Sequence, residues 1–187
     1  MIRKCLKVIG TVAAILVGVV AVYVIYLFTT YHRIADNLPL TVEQPAKKGT
    51  DVDALAIGTE YTALTYNIGF GAYTPDFSFF MDGGESSWAK SKESVLDTVQ
   101  GAGDLVASLR PDFALIEEID LDSTRSYHTD EYALLKECLP EDYTVFAQNY
   151  DSAFLFYPLN QPHGSSKSGL GLFSGYPVTE ALRRSFP

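Results

Sequence analysis

Cysteine is nearly missing from this chain: its 187 residues carry only Cys5 and Cys138. With no Cys-x-x-Cys motif and no zinc-type spacing, a disulfide scaffold and a zinc-built domain are both excluded. Basic residues are also sparse. Of the 14 Lys and Arg, four lie in residues 1–33, a stretch without acids, so the remaining ten face all 23 Asp and Glu, a net of −13. A surface that negative repels phosphate backbones, and no Lys/Arg cluster offsets it, which argues against a nucleic-acid partner. Internal repeats and low-complexity tracts are absent. Aromatics, by contrast, are plentiful, with 12 Tyr and 11 Phe. Such a composition can bury a core and is not that of disorder.

Residues 8–28 form a run of 21 residues without a charge. As a helix rising about 1.5 Å per residue, the run matches a hydrocarbon core roughly 30 Å thick. Tyr23 and Tyr26 lie near one end, where amphipathic rings favour the interface. The run is longer than the apolar region of a cleaved signal peptide and lacks an Ala-x-Ala site, so the expectation is an uncleaved signal anchor. Arg3, Lys4 and Lys7 precede it and only Arg33 follows closely. The positive-inside tendency therefore predicts a cytoplasmic tail (1–7), a transmembrane helix (8–28), a linker (29–58) and an exported domain (59–187) in a single-pass cell-membrane protein. Cys5 and Cys138 then fall on opposite sides of the bilayer and do not pair. Cys5 is either a lipid site or, in the simpler reading, an unmodified thiol.

The polar, Pro-containing stretch 34–58, with Lys47, Lys48, Gly49 and Thr50 at its centre, reads as a tether. Residues 60–68 alternate and are rich in Thr and Tyr, as a strand requires. A long loop, 69–87, is rich in glycine and carries Phe77, Phe79, Phe80 and Met81. Apolar residues at Val95, Val99, Ala102, Leu105, Val106 and Leu109 predict a helix over 91–109 with Ser91 as N-cap. Pro111-Asp112 ends it, and 113–116 suits a strand buried on both faces. A second helix is expected over 129–139, closed by Pro140, and strands over 143–148, 153–157, 169–173 and 178–186. This order indicates an α/β or α+β sheet protein with helices outside.

Two strings carry the chemistry. In LTYNIGFG (64–71) a strand ends in Asn67, and in PDFALIEEID (111–120) a buried strand ends in Glu117-Glu118. Taken singly, an Asn at a strand end satisfies a turn and a Glu pair is solvated. Together, with a helix between them and SGLGLFSGYPV (168–178) following, they resemble the endonuclease/exonuclease/phosphatase superfamily, the DNase I-like fold. The resemblance runs from Thr62 to Val178. It implies a two-sheet sandwich with outer helices, of which this chain holds the N-terminal half. It further implies that Glu118 binds a catalytic Mg²⁺ or Mn²⁺ and that Asn67 helps to hold metal and phosphate. Mg²⁺ needs only one or two carboxylates plus substrate oxygens, and would assist in-line attack of water on a phosphoric ester. Glu117 stands where the family has Gln; it either adds a carboxylate near the metal or, the favoured reading, faces solvent. Arg125, Tyr127 and His128, in the polar loop RSYH, either contact substrate phosphate or belong to a charged loop with a packing Tyr. His163 reads as structural.

The same resemblance implies a later Gly-Asp-x-Asn strand and a terminal Ser-Asp-His, neither of which occurs in these residues. The expectation is a fragment of a membrane-anchored, Mg²⁺-dependent phosphoesterase, a hydrolase of phosphodiesters or phosphomonoesters, with weak or no activity alone. The alternative is a non-catalytic remnant or membrane-tethered binding protein on the same fold. The substrate class stays open between nucleic acids, nucleotides and lipid head groups.

Overall fold

The computed structural model describes residues 2–31, 33–47 and 54–185, which divide into two units at Arg33/Ile34. Of the expected tether's centre, Lys48, Gly49 and Thr50 lie outside the described residues, as does Phe186 of the last expected strand.

The first unit is a single helix, α1 (Ile2–Thr30), long and apolar enough to cross a membrane. It overruns the uncharged run at both ends. At its end the hydroxyls of Thr29 and Thr30 donate to the carbonyls of Ile25 and Tyr26, at 2.9 and 2.7 Å, so the last turn hides its own polar groups. The Tyr23 and Tyr26 rings stack 6.3 Å apart along one side.

The second unit is mixed α/β. Its described strands are β1 (Leu38–Pro39), β2 (Val42–Glu43), β3 (Ala63–Asn67), β4 (Phe113–Asp120), β5 (Tyr143–Leu155), β6 (Gly164–Ser174) and β7 (Leu182–Arg183), and its helices are α2 (Lys92–Leu109) and α3 (Glu131–Cys138). Five strands form one mixed sheet in the order β2-β5-β6-β4-β3, and β1 pairs with β7 in a separate ladder. Several lengths differ from the sequence reading: β3 is shorter than the expected 60–68, while β4 and β6 run well beyond the expected 113–116 and 169–173. The strands expected over 143–148 and 153–157 are one strand, because β6 pairs with β5 along its length and absorbs the irregularities as register shifts. Among the described residues of the strand expected over 178–186, Leu182–Arg183 form the paired strand, against β1, and the Ala181 carbonyl accepts from the Leu40 amide at 2.9 Å. Two strands also arise inside the expected tether, since Leu38–Pro39 and Val42–Glu43 pair with the domain through their backbones.

Ser91 caps α2 as its position predicts, accepting a hydrogen bond from the Ser94 amide at 3.1 Å. The helix stops at Arg110, in the left-handed region, just before Pro111. Asp112 then clasps the start of β3: its carboxylate accepts from the Thr62 amide (2.6 Å) and hydroxyl (2.8 Å), while the Thr62 hydroxyl accepts from the Asp112 amide (3.0 Å). This clasp pulls the Asp112 carboxyl below its ordinary range, the Thr62 amide contributing most.

The clasp also sets β3 parallel to β4 with Asn67 opposite Glu117. Parallel pairing through a helical crossover brings the carboxyl ends of both strands to one edge of the sheet. Val95, Val99 and Val106 of α2 and Leu135 of α3 bury against Ala114, Ile116, Ile119 and Phe173 on one face. Helix α3 approaches α2 at Gly103, where a Cβ would lie 2.5 Å from the Cys138 sulfur. On the opposite face Leu115, Leu170 and Leu182 stay partly exposed around a groove of about 280 Å³.

Candidate metal site at the carboxyl edge of the sheet

Strand β4 does not run straight to its end. Ile116 pairs with Gly171 and Ile119 with Gly169, so two residues on β4 face one on β6, and the extra residue, Glu118, has φ 56°. This β-bulge determines where Glu118 points. By simple alternation it would follow Ile116 into the helix-covered core; the left-handed residue turns it to the exposed edge, and Ile119 takes the buried place instead. Gly171 makes room for the bulge, since a Cβ there would meet the Ile119 side chain at 2.7 Å. The Gly-x-Gly of SGLGLFSGYPV thus sits across from the Glu pair.

Asn67 meets Glu118 from the neighbouring strand end. Its amide Nδ2 donates to Glu118 Oε1 at 2.9 Å, and its Oδ1 accepts from the Gly69 amide at 2.9 Å. The second bond forms a local turn of the kind Asn makes readily. Gly69 itself has φ +55° and lies under the Tyr73 ring, which a Cβ would strike at 2.3 Å. The Tyr73 hydroxyl donates to Asp82 at 3.2 Å. Burial raises the Tyr73 pKa first, followed by Asp82 and by the negative charge of Glu118. Tyr73 thus borders the Asn67 turn with Asp82 at its hydroxyl, and sequence reasoning missed both. Glu117 is half-buried on the opposite face and accepts from the Thr65 hydroxyl at 3.3 Å.

The loop after β4 holds Arg125, Tyr127 and His128, and their partners lie within the protein. Arg125 Nε and Nη2 donate to the two oxygens of Asp120 at 3.0 and 2.8 Å, with side chains 10% and 0% exposed. Its guanidinium carbon also lies 3.9 Å from the centre of the Phe70 ring. Burial alone would lower the Arg125 pKa; Asp120, Glu118 and Glu131 outweigh it and raise it. Ser126 donates to Asp120 at 2.8 Å, and the Asp120 amide donates to buried Glu131 at 2.8 Å. Glu131 has its pKa pushed well up by burial and by the charge of Asp120. The Tyr127 hydroxyl donates to the Ala89 carbonyl at 3.1 Å, and its ring meets Trp88 edge-on at 5.9 Å. His128 is exposed and pairs with Asp122. His163 is buried beside Phe79 and Phe80, 3.4 Å from the Ser166 hydroxyl, and burial lowers its pKa.

The structure therefore brings Asn67 and Glu118 together and sets Arg125 behind them in the core. Asp120 was the readable signal for that arrangement: an acid beside Ile119 in an apolar strand is rarely buried without a partner. Among the described residues no three His, Cys, Asp or Glu converge as a metal cage. The donor set at the edge, one exposed carboxylate and one amide, still fits a hard, water-rich ion, which takes one or two carboxylates. No family model, curated protein or solved structure matches the chain.

Proposed function

We propose that the second unit is a phosphoesterase-like domain of the endonuclease/exonuclease/phosphatase kind, carrying Glu118 as the carboxylate for Mg²⁺ or Mn²⁺. The observation that carries this reading is the bulge at Glu118, which re-aims a core-facing position onto the edge where Asn67 waits to orient it. Bulges of this sort recur beside active sites because they turn a side chain out of the pleat. Glu118 Oε1 is fixed by the Asn67 amide, and the carboxylate is presented to solvent. The Asn67 turn is stiffened by the Gly69 amide, so the ligand and its orienting group are held before anything binds. A divalent ion bound there supplies Lewis-acid polarisation of a phosphoryl oxygen. In the same reading α1 crosses the membrane with its N-terminus in the cytoplasm and the domain is extracytoplasmic, where it meets a phosphate ester.

A second reading, a tethered binding protein on the same fold, is favoured by the two histidines among the described residues. His163 is buried with its ring against Phe79 and Phe80, and His128 is paired with Asp122. Neither is presented beside Glu118 as a general base. Hydrolysis of bis(4-nitrophenyl) phosphate by the full chain in detergent micelles, with Mg²⁺ or Mn²⁺, separates the two. A metal-dependent rate lost in Glu118→Ala supports the hydrolase; Mn²⁺ binding without turnover supports the binding protein. No Mn²⁺ binding and no turnover overturns the site itself.

A further inference from the structure

We propose that Arg125 is a positioning residue that locks the Asn67 turn against the Glu118 bulge by gripping Asp120 and covering Phe70. The proposal rests on the reading of Asn67 and Glu118 as a divalent-cation site. Asp120 ends the same strand as Glu118, two residues on, and is fully buried. Phe70 lies three residues past Asn67, fully buried, with φ 43°. Arg125 touches both: two parallel hydrogen bonds to the Asp120 carboxylate and a face laid on the Phe70 ring at 3.9 Å. A planar guanidinium can do both at once, one edge for the carboxylate and one face for the ring.

Each anchored point needs an external hold. A left-handed aromatic residue is strained and persists only where its surroundings over-determine it. Phe70 is also met by Phe79 at 5.6 Å, Tyr73 at 5.9 Å and Phe77 at 6.0 Å between ring centres. The left-handed Glu118 likewise sits between two paired segments of β4, and the Asp120 end is pinned by Arg125, Ser126 and Glu131. A buried ion pair adds little net stability, since desolvation offsets its attraction. What this one contributes is registration: the loop after β3 and the end of β4 are tied through one side chain, and the 2.9 Å contact between Asn67 and Glu118 depends on that registration. Arg125 therefore acts through Phe70 and Asp120, without touching substrate.

The test compares the full-length wild type in micelles with Arg125→Lys, which keeps the charge and loses the planar fork, and with Phe70→Leu, which keeps the ion pair and loses the ring. Two quantities are read: hydrogen exchange in segment 64–72 against segment 95–106 of α2, and Mn²⁺ affinity by calorimetry. The expected result is exchange faster by about tenfold in segment 64–72 with α2 unchanged. Mn²⁺ affinity should also fall roughly ten- to a hundredfold, as when a group that orients a ligand is removed. Phe70→Leu carries the test if Arg125→Lys does not fold. Exchange that is unchanged in both segments, or faster in both alike, overturns the positioning role. A wild type that binds no Mn²⁺ defeats the metal reading, and the exchange contrast then decides the positioning role alone.

Discussion

Asn67 and Glu118 stand 51 positions apart in the chain, and their side chains meet at 2.9 Å at the carboxyl edge of a parallel strand pair. Neither residue reaches the other by alternation alone. The contact requires the extra residue in β4, and that residue is Glu118 itself, held at φ 56°.

A backbone held there by a non-glycine residue stores strain, of order 1–2 kcal/mol relative to a relaxed conformation. Glu118→Gly should therefore raise the midpoint of thermal unfolding while removing Mn²⁺ binding. Calorimetric melting of the wild type and the variant checks this, and a lowered midpoint would show that the side chain's bond to Asn67 outweighs the backbone term.

The clasp at Asp112 sets an acid limit. Its folded pKa lies below the ordinary value of 3.8. The stabilisation is therefore present above 3.8 and is lost as pH falls through the lower folded value. Asp112→Asn should lower stability near neutral pH and flatten the acid limb, read from urea unfolding between pH 6 and pH 2 (about the range over which a carboxylate so held titrates). A variant whose pH profile parallels the wild type contradicts the clasp.

Glu131 works in the opposite sense. Its folded pKa is raised well above 4.5 by burial, so its contribution is fully present below 4.5 and is lost as pH rises through the folded value. Glu131→Gln removes the ionisable group while keeping an acceptor for the Asp120 amide. The variant should gain on the wild type with rising pH; urea midpoints at low and high pH test it. A constant difference across that range would mean that Glu131 does not titrate differently on folding.

The parts of the fold that the sequence made legible are those set by periodicity and local chemistry. Val95, Val99 and Val106 at helical spacing, with Ser91 before them and Pro111 after, describe α2 almost to the residue. The strand ending at Asn67 was legible in kind, because alternation with Thr and Tyr is a local property, but only Ala63–Asn67 of the expected 60–68 pairs as a strand. The bulge was not, since alternation shows which residues share a face and not where an extra residue is inserted. The strands at Leu38–Pro39 and Val42–Glu43 were hidden for a related reason: each is two residues held by backbone pairing to a distant partner. Within the candidate site, Asn67 and Glu118 were readable from their strings. Arg125 in a polar loop read as a phosphate contact or a surface cation; an acid at Asp120 was the one hint of a buried partner, and the tertiary structure shows Arg125 buried between Asp120 and Phe70.

The function proposed for the second unit requires Glu118, oriented by Asn67, to be a divalent-cation ligand. Calorimetric titration of Mn²⁺ into the full chain in micelles tests it most directly, comparing the wild type with Glu118→Ala and Asn67→Ala. One saturable site is expected in the wild type, with its loss in Glu118→Ala and affinity lowered by roughly tenfold or more in Asn67→Ala. Wild-type binding that survives Glu118→Ala unchanged would contradict it.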